Sequence, residues 1–201
     1  NSKGLEIQKP LTTIEDMASC LSKLSIHLSA EDWFGKALEK EDIKKFITEH
    51  FTVSWEYWYR FQIPYLTRHR TFFGDIESWN VWGSIGLVQI RSLIEEINNN
   101  ISSLPKNYTD FYLYTLRHKP KRGINASSIS DISSIPRATV IRKLKTLEKN
   151  KHIMRNKRLE YFLAPKSDNL KGFEKNYLIN QRRWSDYCTT MFNLMKFSKF
   201  S

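Results

Sequence analysis

Residues 125–165, NASSISDISSIPRATVIRKLKTLEKNKHIMRNKRLEYFLAP, constrain the fold more than any other stretch, because the hydrophobic period changes within them. Asn125 is a preferred helix cap, and Ile129 and Ile132 follow it three residues apart. Ser133-Ser134-Ile135 leaves room only for a tight connection. Pro136 then supplies a fixed φ suited to the start of a second helix. Val140, Leu144 and Leu147 recur at four and three residues, which marks the inward face of that helix. Beyond Asn150-Lys151 the pattern becomes strand-like in residues 152–156 and again in 159–163, with a connection short enough for a hairpin. Pro165 ends the run. Ile129, Ile132, Ile135, Val140, Leu144, Leu147 and Ile153 are the expected core of this region.

With the short apolar helix expected over residues 108–116, the order becomes helix, helix, turn, helix, hairpin. Ile129-Ser130-Asp131-Ile132, then Ile135-Pro136-Arg137-Ala138-Thr139-Val140, then Arg142-Lys143-Leu144 with Leu147-Glu148, carry a resemblance. They resemble the helix-turn-helix of MarR-type and IclR-type bacterial regulators. Ile153, Arg155 and Tyr161-Phe162-Leu163 are similar to the wing of the same module. The resemblance covers residues 106–166. It implies a mainly α fold with a small β-hairpin wing, a winged helix-turn-helix flanked by N- and C-terminal helices. Two positions depart from the usual pattern. Ser134 stands where the turn often has Gly, and Asn150-Lys151 replaces the Gly that usually ends the second helix, leaving Asn150 as the expected left-handed stop.

Charge is distributed to match. The chain has 201 residues and a formal net charge of +11. Its first hundred residues are slightly acidic, with 11 Lys and Arg against 14 Asp and Glu. Residues 117–158 alone hold 13 basic residues and only Asp131 and Glu148 as acids. Such asymmetry concerns partners rather than fold, and it admits either a polyanion or a merely solvated basic face. The resemblance favours double-stranded DNA. It implies that residues 136–150 form a recognition helix in the major groove and residues 153–163 a wing on backbone or minor groove.

Major-groove reading uses side chains near the helix N-terminus. Pro136, Arg137, Ala138, Thr139, Ile141 and Arg142 occupy that end and its exposed side, followed by Lys143 and Lys145. Arg137 and Arg142 can each pair with guanine, while Ala138, Thr139 and Ile141 suit thymine methyl groups. Ser127 and Ser128, with the free N–H groups of a helix start, are candidates for phosphate. Arg155, Lys157 and Arg158 form the basic wing. Lys149 and Lys151 need no role beyond favourable interaction with the helix C-terminus.

The remainder reads as helical. A short helix with a cap at Thr12 or Thr13 is expected over residues 13–24, and a long one over 41–73 that Pro64 should kink or divide. Gly74-Asp75 should separate it from a helix over 75–97. These segments suggest a helical region over residues 1–104 for dimerisation or effector sensing, a DNA-binding domain over 105–166 and a C-terminal helix over 167–201. In the last, Phe173, Tyr177, Asn180, Trp184, Tyr187, Met191 and Leu194 form a heptad-like seam with one polar position. The seam can pack on its own chain or on a second copy, and the resemblance implies a homodimer. Twelve aromatics between Phe46 and Trp82 are either core or the lining of a small-molecule effector pocket.

No nucleotide-binding glycine loop, nucleophile elbow or HExxH motif is present, so an enzyme is not expected. The histidines lack ligand spacing, and no metal or cofactor is expected. No apolar run approaches membrane-spanning length, two cysteines make no disulfide framework, and the expected location is cytoplasmic. The expected function is sequence-specific transcriptional regulation. The alternative is a winged helix that binds nucleic acid without sequence preference, or one used for protein contacts.

Overall fold

The computed structural model describes residues 2–32, 35–97, 110, 114, 123–164 and 169–198. It is mainly helical with one small antiparallel hairpin. Its helices are α1 (Ser2–Ala30), α2 (Lys40–Glu49), α3 (Phe51–Phe73), α4 (Ile76–Ile97), α5 (Ala126–Ser133), α6 (Arg137–Lys149) and α7 (Asn169–Phe197). Strands β1 (Ile153–Arg155) and β2 (Tyr161–Leu163) pair with Ile153 opposite Leu163 and Arg155 opposite Tyr161. Among the described residues, no helix is long and apolar enough to cross a membrane. The helix expected over 108–116 lies outside the described residues except Asp110 and Tyr114, both helical.

The chain divides into two compact units, Asn1–Ile63 with Gln181–Ser201, and Pro64–Asn180. Helices α3 and α7 each contribute residues to both. These boundaries differ from the segments 1–104, 105–166 and 167–201 drawn from the sequence.

In the first unit, Ile14, Met17, Ala18 and Leu21 of α1 bury against Ile43, Phe46 and Ile47 of α2 and Tyr187, Cys188, Met191, Phe192 and Met195 of α7. Burial of each large aliphatic side chain contributes about 1.5–3 kcal/mol. The connection between α1 and α2 is pinned at Leu38, whose N–H donates to Ser25 Oγ and whose carbonyl accepts from Ser22 Oγ, both at 2.9 Å. Helix α1 passes through Thr12 and Thr13, so neither is a cap. The break expected at Pro64 falls instead at His50, which leaves helical geometry at φ −108°, ψ 39°. Pro64 sits inside α3.

In the second unit, α4 forms the floor on which α5, α6 and the hairpin pack. Phe73, Val81 and Ile85 meet Ile124, Ile129, Ile135, Val140, Leu144, Leu147, Ile153, Tyr161, Leu163 and Phe173 in one core. Asp75 caps α4, its Oδ1 accepting the Ser78 N–H at 2.7 Å, while Gly74 turns the chain at φ +88°. Six of the seven residues expected in this core are buried, but Ile132 is 48% exposed. Helix α5 has only eight residues. Its buried position is Ile129, and Ile132 is left on the solvent side.

The C-terminal seam is spent within its own chain. Phe173 is buried and Tyr177 half-buried in the second core; Tyr187 and Met191 are buried, and Trp184 and Leu194 half-buried, in the first. The six are therefore not an open surface for a second copy. Asn180, the polar position, is buried with its Oδ1 accepting from Arg68 Nε at 2.8 Å and its Nδ2 lying 3.2 Å from His69 Nε2. Burial, helped by the Arg68 charge, lowers the pKa of His69 to about 4. The aromatic run likewise packs into the two cores against α7, as in Phe61–Trp184 at 5.1 Å in the first unit and Trp82–Phe173 at 4.5 Å in the second, between ring centroids.

Candidate nucleic-acid interface

The turn between α5 and α6 is built from hydroxyl groups. Asn125 Oδ1 accepts the N–H groups of Ser127 and Ser128, each at 3.0 Å. These N–H groups, expected to be free for phosphate, are thus already satisfied by the cap. At the other end of α5, Ser134 takes the left-handed conformation at φ 55°, ψ 22° that glycine usually fills. Ser130 Oγ donates to the Ile135 carbonyl at 2.7 Å, and the Ile135 N–H reaches Ser133 Oγ at 3.3 Å. Serine side chains thereby supply what a glycine's freedom would otherwise have allowed.

Pro136 is the N-cap of α6, one residue before the helix, and is exposed. Buried Val140, Leu144 and Leu147 hold one side of α6. Ala138, Arg142, Lys145 and Lys149 recur at four, three and four residues on the exposed side. Thr139 and Ile141 flank this stripe and are half-buried. Arg137 is exposed, and its Nε donates to Ser127 Oγ at 3.1 Å, which ties the first turn of α6 to that of α5. The side chains of Arg142 and Lys145 make no ion pair with any described residue.

Lys143 differs. Its ammonium lies 2.8 Å from Asp75 Oδ2 and 3.0 Å from Glu77 Oε2, with the side chain 14% exposed. Burial works against both charges, yet the mutual hydrogen bonds prevail, raising the lysine pKa and lowering that of Asp75, where Ser78 assists. Lys143, expected on the polyanion, is committed to the start of α4. Sequence spacing gave no sign of this, since Asp75 and Lys143 meet only through the tertiary packing of α4 on α6.

The end of α6 also corrects an expectation. Asn150 has φ −82° and remains right-handed, while Lys151 takes φ +57°. The His152 N–H donates to the Leu147 carbonyl at 2.9 Å and the Lys151 N–H to the Glu148 carbonyl at 3.0 Å. That pair of bonds is the Schellman arrangement, with Lys151 in the place glycine normally takes.

No family model, no curated protein and no solved structure matches this chain.

The hairpin is anchored by residues that carry no periodicity or turn signal in the sequence. Ile124 forms an antiparallel bridge to Tyr161, with N–H to carbonyl distances of 3.2 and 2.8 Å. Gly123 beside it lies so close that a Cβ there would meet the Phe162 ring at 2.7 Å and the Tyr161 carbonyl at 2.8 Å. Gln89 of α4, 1% exposed, accepts the Leu163 N–H at 2.6 Å and so satisfies a buried donor of β2. Arg155 lies 3.4 Å from Glu148. Lys157 and Arg158 are exposed at the tip, without an ion pair to any described residue.

A cleft of about 600 Å³ opens in the same unit, lined by Thr67, Arg68, Thr71, Phe72, Asn150, His152 and Asn176. It touches the residues that close α6, and the aromatic run contributes only Phe72 to it. Among the described residues, no group of His, Cys, Asp and Glu is arranged to hold a metal ion.

Proposed function

We propose that this chain is a sequence-specific double-stranded DNA-binding regulator of transcription that acts as a cytoplasmic homodimer, with the second unit as a winged helix-turn-helix. The observation that carries this reading is the division of α6. One stripe, Val140, Leu144 and Leu147, is buried, while the opposite stripe, Ala138, Arg142 and Lys145, is exposed and cationic beside a basic-tipped hairpin in the same unit. Arg142 and Arg137 read guanine in the major groove, Ala138 meets a thymine methyl, and Lys157 and Arg158 take backbone phosphates or the minor groove. A single antiparallel bridge from Ile124, just ahead of α5, ties that segment to β2, which supports the winged arrangement.

Two such units related by a two-fold axis would engage half-sites one helical turn apart. The dimer contact then falls outside the C-terminal seam, whose residues are occupied internally. In this proposal a small-molecule effector binds the cleft beside Asn150 and His152, since the aromatic run is packed in the two cores.

Selection of bound duplexes from a random pool, followed by footprinting and anisotropy titration at fixed salt, tests the proposal. The expected result is a palindromic site. Arg142→Ala and Arg137→Ala should each cost about 1–3 kcal/mol on that site and far less on unrelated duplex. Equal losses on all sequences would replace base reading by non-specific binding.

A further inference from the structure

The hairpin tip holds a side chain that folding alone does not explain. Leu159 has φ +58°, in the left-handed region, and is 59% exposed. In a three-residue hairpin loop this position is the natural place for glycine, because a bulky residue there is sterically opposed. Its neighbours along the hairpin, Ile153, Tyr161, Phe162 and Leu163, are all buried, so the chain does not lack apolar anchors. Leu159 is the one apolar residue among the non-glycine positive-φ positions of the described chain, the others being Asp32, Ser134 and Lys151.

The tip is also closed by a set of hydrogen bonds. The Leu159 N–H donates to the Asn156 carbonyl at 3.1 Å. Asn156 Oδ1 accepts the N–H groups of Arg158 at 2.9 Å and Glu160 at 3.0 Å, and its Nδ2 donates to Glu160 Oε2 at 2.7 Å. A single asparagine thus fixes the loop that presents Leu159 to solvent directly after two exposed cations. Strain kept at an exposed, over-determined position is the pattern of a site under functional demand.

We propose that Leu159 is an apolar wedge that enters the minor groove and opens one base-pair step, with Lys157 and Arg158 on the flanking phosphates. This rests on the DNA-binding reading above and adds to it a deformation of the duplex. An apolar side chain offers no base-specific hydrogen bond, so its selectivity comes from the ease of unstacking. The wing should therefore favour a flexible pyrimidine–purine step such as TA or CA. Because the loop is already fixed, little conformational freedom is lost when the wedge enters.

The test uses the full chain and the duplex recovered by selection, carrying 2-aminopurine at the step beneath the wing and a donor–acceptor dye pair at its ends. Wild type should raise 2-aminopurine fluorescence at that step and shorten the end-to-end distance. Leu159→Gly should lose both effects and bind on the order of tenfold more weakly. Its thermal midpoint should rise, because glycine accepts the left-handed backbone without strain. Leu159→Asn, which also tolerates that backbone, should behave likewise. Opposite movements of stability and binding separate the wedge from a folding role. Wild-type affinity and fluorescence in both variants would overturn the wedge while leaving DNA binding intact. Absence of saturable duplex binding by the wild type would overturn both.

Discussion

Arg142 and Lys143 are adjacent cations on α6, but the helical period sends successive side chains about 100° apart. Arg142 points to solvent, whereas Lys143 meets Asp75 and Glu77. Their replacement should therefore separate in two assays. Lys143→Met should lower the urea midpoint by an amount equivalent to about 1 kcal/mol and leave base preference unchanged, because it leaves two carboxylates near an apolar contact. The pH dependence follows from the pKa directions. The lowered carboxyl of Asp75 contributes stability above its ordinary value of 3.8 that is lost as pH falls through the lower folded value. The raised amine of Lys143 contributes below its ordinary 10.5 and loses that contribution as pH rises through the higher folded value. Urea titrations from pH 6 down to 3 should show Lys143→Met losing less stability on acidification than wild type. A parallel decline in the two proteins would refute the linkage.

At the level of the elements, the legible parts are those specified by neighbours in sequence. The buried stripe of α6, the cap at Asn125 and the existence of a hairpin follow from periodicity and turn chemistry within forty residues. Sequence periodicity did not separate Ile132 from Ile129, because which positions of a two-turn helix face inward depends on how α5 lies on α4. It did not reveal Gln89 or Asp75 either, since each meets its partner only through tertiary packing. Sequence chemistry puts the left-handed stop one residue early, because asparagine tolerates that backbone better than lysine and the two stand side by side. The closing backbone bonds to Leu147 and Glu148 place Lys151, one residue later, at the left-handed position. Lys151→Gly should consequently stabilise the protein by about 0.5–1 kcal/mol, measured by denaturant midpoint. Gly123→Ala should do the opposite, at about 1–3 kcal/mol, since the new methyl group meets the Phe162 ring and a backbone carbonyl. A neutral Gly123→Ala would show that the hairpin can shift away from Ile124.

For the molecule as a whole, the apolar seam of the C-terminal helix is internal packing. Met191 is fully buried among α1, α2 and α7. Met191→Ala should cost about 2–5 kcal/mol of stability through the cavity it leaves. That loss should be the same at low and high protein concentration, whereas a residue of a subunit interface would show a loss that mass action modulates. Sedimentation of wild type and variant at equal concentration distinguishes these cases, and a variant that stays equally stable but dissociates would return the seam to the interface. The partition of the chain has one more consequence, for the order of events during synthesis. The unit Pro64–Asn180 is a single continuous segment, whereas the other joins Asn1–Ile63 to Gln181–Ser201. Domains fold largely as they emerge from the ribosome. The continuous unit is complete once α7 has been made as far as Asn180, before Gln181–Ser201. The first unit must keep the apolar faces of α1 and α2 waiting for residues more than a hundred positions downstream, and that interval is when this chain is most exposed to aggregation and chaperone capture.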